Sequence, residues 1–324
     1  MQLALAYRSS AVLFAAVELK VFTGISQGRA TAAELAADAH ADPEKMRMLL
    51  EACVAEGLLA REDGRFTNTS VADAFLVEGR PAYSANGFKY AADLYPAWSR
   101  LADLVRTGRP PMPPQTILGD DKAKTRAFVY AMHERAKGIG SILPHLVDLK
   151  GRQKLLDVGG GPGTYSVSLI QQTPGLTSTV LDVPGVLDVT RELIDASGFA
   201  DRVTLMPGDY LTSPFGTGFD VVLLSGMMHR ETPETCQMLL RKAFAALEPG
   251  GIVIVSDVFF EDDRKGTPPF AVYFALNMML TSDEGSAHAM TEMSRWMSGV
   301  GFRDISVREL PKPNPHTLLV GTKA

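Results

Sequence analysis

The chain has 324 residues, 46% of them hydrophobic, which is enough to bury more than one core and too apolar for an intrinsically disordered protein. Its formal net charge of -5 gives no overall electrostatic reason to bind nucleic acid, whose phosphates call for a basic face. Cys53 and Cys236 lie in apolar, helix-like stretches without CxxC spacing, so neither a disulfide framework nor a cysteine zinc site is expected, and a reducing, cytoplasmic setting is implied.

Residues 1–19 are apolar but lack a basic start and are interrupted by Arg8 and Glu18, which predicts a helix rather than a signal peptide. No apolar run approaches the roughly 20 residues a spanning helix needs, so no membrane segment is expected. Thr31 and Glu34 read as a capping box opening a helix over 32–39, and Asp42-Pro43 as the cap and first-turn proline of a helix over 43–59. Met46, Leu49, Leu50, Val54 and Leu58 form the apolar stripe of that second helix. Residues 61–66 then carry a tight-turn signal between two short strands. Helices followed by a hairpin predict a winged helix, assigned to residues 1–83. Over residues 1–80, 8 Lys plus Arg stand against 11 Asp plus Glu, a balance of 8 − 11 = −3. The helix that would enter a DNA groove holds Glu44, Glu51 and Glu56 against Lys45 and Arg47, so DNA is a poor partner for it. Its apolar surface, with Leu3, Leu5, Val12, Leu13 and Phe14 before it, is better used against a second copy of the chain, which predicts a homodimer.

Residues 84–148 read as a helical segment rich in aromatic and methionine side chains, among them Phe88, Tyr90, Tyr95, Trp98, Phe128, Tyr130 and Met132. It is broken by a proline-rich loop over 108–114. Most of these side chains are expected in a core, and a minority, Phe128 and Met132 foremost, in the wall of an apolar ligand pocket.

From residue 149 to 324 strands and helices alternate. Strands are expected over 154–158, 177–181, 203–206, 219–224 and 251–256, with amphipathic helices between them, for example over 234–247. This is the pattern of a parallel, doubly wound α/β sheet. Two last strands, over 304–309 and 317–321, are separated by too few residues for a helical crossover and must pair antiparallel. Such a terminal pair suits a Rossmann-like sheet that binds S-adenosylmethionine (SAM) better than a dehydrogenase sheet.

The first of these strands runs into Asp157, Val158, Gly159, Gly160, Gly161, Pro162, Gly163 and Thr164, a glycine turn between strand and helix where backbone can approach a ligand. A dinucleotide is the rival occupant. Thr164 replaces the third small residue of that fingerprint, and Asp157 sets a carboxylate where a pyrophosphate would lie. SAM has no phosphate and carries an ammonium and a sulfonium, so an acidic glycine loop suits it. At the end of the second strand, Asp182 can accept from a ribose diol, or else cap the helix that follows Pro184; Val183 is its neighbour. At the end of the third, Asp209 can accept from an adenine amino group and Tyr210 can pack on the ring. Ser225, closing the fourth strand, completes the candidate cofactor contacts.

With these motifs in this order the chain resembles the small-molecule O-methyltransferases of the caffeate, acetylserotonin and antibiotic-tailoring type. The likeness implies Gly159 and Gly161 at the methionine part of SAM, Asp182 at the ribose, Asp209 and Tyr210 at the adenine, and an intertwined dimer. It also implies a catalytic histidine just past the fourth strand, within a His-Asp-Trp motif. Here that stretch is His229, Arg230, Glu231, so the histidine is kept and its neighbours differ. An imidazole is a fitting base for a phenol near neutral pH; its other use would be to close the next helix. Asp257 stands where the family's first supporting carboxylate lies, and the second supporting glutamate falls on Ala289, next to His288. Asn277 matches a substrate-facing position, and with Met228, Met278, Phe128 and Met132 it makes up the candidate acceptor contacts; Met279, Met293 and Met297 read as pocket or core. No metal site is expected.

The acceptor atom stays open. The departures around His229 leave room for methylation at sulfur, nitrogen or carbon by proximity alone, and Arg230 could meet an acidic substrate or simply sit exposed at a helix start. A SAM-binding regulator and a SAM-binding enzyme that does not transfer methyl are the readings from other classes.

Overall fold

The computed structural model describes residues 2–112, 121–261, 266–312 and 314–324. The chain divides into two compact units, at residues 96 and 97.

The first unit opens with α1 (Gln2–Leu5), α2 (Tyr7–Glu18), α3 (Val21–Ser26), α4 (Ala32–Asp38) and α5 (Pro43–Ala55). Local chemistry fixes where α4 and α5 begin. Thr31 accepts from the Glu34 N–H while the Glu34 carboxylate accepts from the Thr31 N–H, and Asp42 accepts from the Lys45 N–H with Pro43 in the first turn. Strands β1 (Leu59–Glu62) and β2 (Arg65–Asn68) form an antiparallel hairpin. Its two turn residues, Asp63 (φ 47°) and Gly64 (φ 75°), are both left-handed, as a two-residue hairpin turn requires. Next come α6 (Ser70–Leu76) and α7 (Ala85–Trp98). Met46, Leu50 and Cys53 of α5 pack with Val17, Phe22, Leu35, Phe66 and Leu76 into one core, whereas Leu3 and Tyr7 are exposed.

The second unit begins with α8 (Leu101–Thr107) and the long α9 (Lys122–Leu146). Of the proline-rich loop, residues 108–112 are non-helical, and Pro113 and Pro114 fall outside the described residues. Then follow β3 (Lys154–Val158), α10 (Thr164–Gln172), β4 (Thr177–Asp182), α11 (Pro184–Ser197), β5 (Val203–Pro207), β6 (Phe219–Ser225), α12 (Pro233–Ala246) and β7 (Leu247–Asp257). The chain goes on through β8 (Phe259–Phe260), α13 (Pro269–Thr281), β9 (His288–Ala289), α14 (Met290–Val300), β10 (Phe302–Glu309) and β11 (Thr317–Lys323).

Seven strands form one sheet in the order β10-β11-β7-β6-β3-β4-β5. The strands from β7 to β5 are parallel, and β11 pairs antiparallel with both β7 and β10. Central strands are buried on both faces, so Leu155 and Leu223 enter one core with Leu143 and Leu169, while Leu156 and Leu224 enter another with Leu240 of α12 and Met293 and Met297 of α14. Those two methionines, expected in pocket or core, are fully buried core. Strand β7 starts at Leu247, before the expected start at 251, so Pro249 and Gly250 lie within the strand segment. Short strands β8 and β9 pair parallel, with His288 opposite Phe259.

Candidate functional site

Asp157, Asp182, Ser225 and Asp257 lie at the ends of β3, β4, β6 and β7, and Asp209 and His229 follow just past β5 and β6, all at the carboxyl edge of the sheet, where doubly wound folds bind ligands. Strand β3 delivers Asp157, which is 1% exposed and whose Oδ2 accepts from Ser166 Oγ at 2.6 Å. Ser166 continues to Ser178 Oγ at 2.8 Å. Asp157 Oδ1 is buried and, among the described residues, has no hydrogen-bond partner. Burial pushes this carboxyl up to about 7 against the pull of the Ser166 hydroxyl, and the Asp182 charge adds to the rise.

The glycine loop turns tightly over this acid. Gly159 (φ 61°), Gly161 (φ 51°) and Gly163 (φ 70°) are left-handed, and a Cβ on Gly160 would stand 2.8 Å from Asp157 Cγ. Asp182 holds the loop from β4: its Oδ2 accepts from the Gly161 N–H at 2.9 Å and its Oδ1 from the Val183 N–H at 2.8 Å. It therefore does not cap the interior of α11. Its pKa is raised by burial, opposed by those two N–H bonds and by Arg230. Past β5, Asp209 Oδ1 accepts from the Leu211 N–H at 2.8 Å, and Tyr210 places its ring 3.5 Å from where a Gly159 Cβ would be. Ser225, half-buried at the end of β6, faces the phenol of Tyr165.

His229 sits in a single helical turn, Met228–Arg230, after β6, while Thr232 caps the following α12. Its Nδ1 is 2.7 Å from Asp257 Oδ1, and its backbone N–H donates to Asp257 Oδ2 at 3.2 Å. Asp257 Oδ1 also accepts from the Val258 N–H at 2.8 Å. One buried carboxylate thus grips both the ring and the main chain of His229. Burial alone would raise its pKa, but the facing imidazole and its hydrogen bond hold it below the ordinary value. The acceptor at Nδ1 assigns the ring proton to that nitrogen and leaves the Nε2 lone pair pointing away from Asp257. Phe274 of α13 meets the imidazole edge to face at 4.8 Å, and Asn277, one turn on, accepts from Trp98 Nε1 at 3.1 Å.

The sequence model of the O-methyltransferase domain matches residues 98–303, more than half of the chain, and that of the O-methyltransferase dimerisation domain matches residues 1–78. The chain belongs to the O-methyltransferase family. It is 31% identical to the 3-hydroxy-5-methyl-1-naphthoate 3-O-methyltransferase of Streptomyces sahachiroi, over 96% of this chain and 91% of that one. It is 33% identical to the tetracenomycin polyketide synthesis 8-O-methyl transferase of Streptomyces glaucescens, over 100% and 96%. The human N-acetylserotonin methyltransferase in complex with SAM has the same fold, with a TM-score of 0.90 at 26% identity over 99% of this chain and 96% of that one.

In this SAM-dependent O-methyltransferase the residues around the glycine loop fit the cofactor. A buried, unpartnered carboxylate oxygen at Asp157 suits a cation, and the space in front of Gly161, where a Cβ would touch nothing, leaves room for a ligand against the backbone. The acceptor-side residues are less uniform. Phe128, Met132 and Met278 are half-buried on α9 and α13. Met228, expected at the substrate, is instead fully buried in the core against α12, so its side chain is structural. His288 does not stand in for the missing glutamate: its Nε2 is 3.1 Å from both the Met228 and Glu231 carbonyls, behind the His229 turn. Two residues near the site, His316 and His133, carried no signal in the sequence, and Glu231 was visible only as a departure from the His-Asp-Trp motif. His316, buried beside Ser256 with Nδ1 to Oγ at 3.0 Å, is pushed down to about 4 by burial. His133 of α9 bonds Thr164 at the start of α10 through Nδ1 at 2.8 Å. Glu231 receives the Tyr210 hydroxyl at 2.6 Å.

Proposed function

We propose that the chain methylates a hydroxyl group of an aromatic small molecule, with His229 as the base and Asp257 as its support. The observation that carries this is the 2.7 Å contact between His229 Nδ1 and a buried Asp257, at the sheet edge that also holds the glycine loop. SAM, when bound, supplies a methyl group on a sulfonium. Asp157, Gly159, Gly161, Asp182, Val183, Asp209, Tyr210 and Ser225 would hold it, with the acids at its cationic and diol groups. Phe128, Met132, Asn277 and Met278 would face the acceptor. Asp257 keeps the His229 proton on Nδ1, so that Nε2 can take the acceptor's proton, and stabilises the cation that results. Burying the acceptor against apolar side chains excludes water and holds the oxygen in line for displacement. The naphthoate 3-hydroxyl and tetracenomycin 8-hydroxyl named for the two bacterial relatives support an aromatic hydroxyl as the acceptor here.

The enzyme would work as a homodimer in the cytoplasm, its first unit a winged helix used for pairing rather than for DNA. The match to the dimerisation domain, the exposed Leu3 and Tyr7, and two buried, unpaired cysteines support that. Among the described residues no helix is long and apolar enough to cross a membrane.

Incubation with methyl-labelled SAM and a panel of phenols, thiols, amines and activated carbon acids, read by mass spectrometry, tests the acceptor atom. Label on an aromatic hydroxyl is the expected result. Label on sulfur, nitrogen or carbon would demote His229 to a positioning role, and His229→Ala with unchanged turnover across neutral pH would remove it as the base.

A further inference from the structure

The turn that carries His229 is tied to the cofactor side of the sheet by a pair of side chains: Tyr210, which the proposal above sets at SAM, and Glu231, to which it gives no role. Glu231 follows that turn and is only 8% exposed, an unusual place for a carboxylate. Its Oε1 accepts from the Tyr210 hydroxyl at 2.6 Å. Its backbone carbonyl faces His288 Nε2 at 3.1 Å, so Glu231 is fixed from behind as well. At the other end, the Tyr210 carbonyl accepts from Lys242 Nζ, and the Tyr210 ring lies against the glycine loop, 3.5 Å from a Cβ built on Gly159. With its main chain held by Lys242 and its hydroxyl held by Glu231, the aromatic ring has one orientation available. Burial and the neighbouring Glu231 charge also push the phenol pKa up, which keeps Tyr210 a donor throughout the working pH range.

We infer that Glu231 is a positioning residue for donor binding, which acts by holding the Tyr210 ring beside the glycine loop. This rests on the reading above that Tyr210 lines the SAM site. A hydroxyl at residue 210 and a buried carbonyl-type oxygen at residue 231 are both needed, so the two side chains behave as one unit. Glutamine at 231 keeps an oxygen that can accept from the phenol, whereas leucine leaves the phenol buried without a partner.

Titration calorimetry with S-adenosylhomocysteine on the full chain tests this, using Tyr210→Phe, Glu231→Gln, Glu231→Leu, the Tyr210→Phe/Glu231→Leu double variant, and Asp182→Asn as a control. Tyr210→Phe and Glu231→Leu should each weaken binding by about tenfold, the size of one lost buried hydrogen bond. Glu231→Gln should stay within about threefold of the parent, and the double variant should be no weaker than the worse single one. The acceptor KM should not move. Losses that add in the double variant, or a Glu231→Gln loss as large as that of Glu231→Leu, would overturn the inference. So would unchanged binding in Tyr210→Phe and Glu231→Leu alongside a loss in Asp182→Asn, with the site reading left standing. Unchanged binding in all the variants, Asp182→Asn included, would reject the site reading itself and this inference with it.

Discussion

Replacing Asp257 by asparagine keeps the volume of the side chain and removes one acceptor. In the parent, Oδ1 accepts from His229 Nδ1 at 2.7 Å and from the Val258 N–H at 2.8 Å, while Oδ2 accepts from the His229 N–H at 3.2 Å. An amide has a single oxygen, so one side must present an NH2 group. If the NH2 faces the ring, it drives the His229 proton to Nε2 and abolishes the base. If it faces the main chain, the turn that carries His229 meets a donor against a donor. Either way the imidazolium formed on proton transfer loses its charged partner. A hydrogen bond to an ionised group contributes about 1.5 to 3 kcal/mol, which corresponds to a fall in kcat of roughly tenfold to 150-fold at about 1.36 kcal/mol per decade. SAM affinity should stay within about twofold, because the hydrogen bonds of Asp257 go to His229 and Val258 and not to the glycine loop. Steady-state turnover with labelled SAM from pH 6 to 9, together with calorimetric SAM binding, checks both halves. A variant that keeps kcat within about twofold of the parent, while remaining folded, would refute the role assigned to the Asp257 contact.

Gly160→Ala would push a Cβ to 2.8 Å from Asp157 Cγ and 2.9 Å from Val180 Cγ1, and should cost about 1–3 kcal/mol of stability, read as a lower Tm. His316 has a folded pKa of about 4, below the usual histidine value near 6.5. The unfolded chain therefore takes up this proton first, and the stability that His316 contributes is present above pH 6.5 and lost as pH falls from about 6.5 to about 4. Urea titrations at pH 7.5 and pH 5 should show this loss in the parent and a smaller one in His316→Gln. Leu3, 90% exposed, and Tyr7, 51% exposed, should lie in the proposed dimer contact, so Leu3→Asp with Tyr7→Asp should shift the light-scattering mass toward the monomer.

The parts of this fold that are legible in the sequence are those fixed by neighbours in the chain. Thr31 with Glu34 and Asp42 with Pro43 cap their helices within one turn, so the residues that decide those boundaries sit side by side. The glycine loop between β3 and α10 is equally local. Pairs closed by folding are different. Asn277 and Trp98 are 179 positions apart, Ser256 and His316 are 60, and neither bond has a sequence signature. Tyr210 and Glu231 were each visible in a motif, yet nothing in the spacing says that they touch. Met228, Met293 and Met297 show why the acceptor pocket is hardest to read. A methionine on a helix has the same periodicity whether it faces a ligand or the core, and only packing separates the two.

Strand β11 comes after the other six strands of its sheet in sequence, yet it lies inside the sheet, between β7 and β10. During synthesis the edge of β7 therefore stays unpaired until β11 has been made, and β10, produced just before it, has no partner to join. A nascent chain in that interval offers a long apolar edge to any extended segment nearby, so the step most exposed to misassembly comes after the cofactor loop has been made.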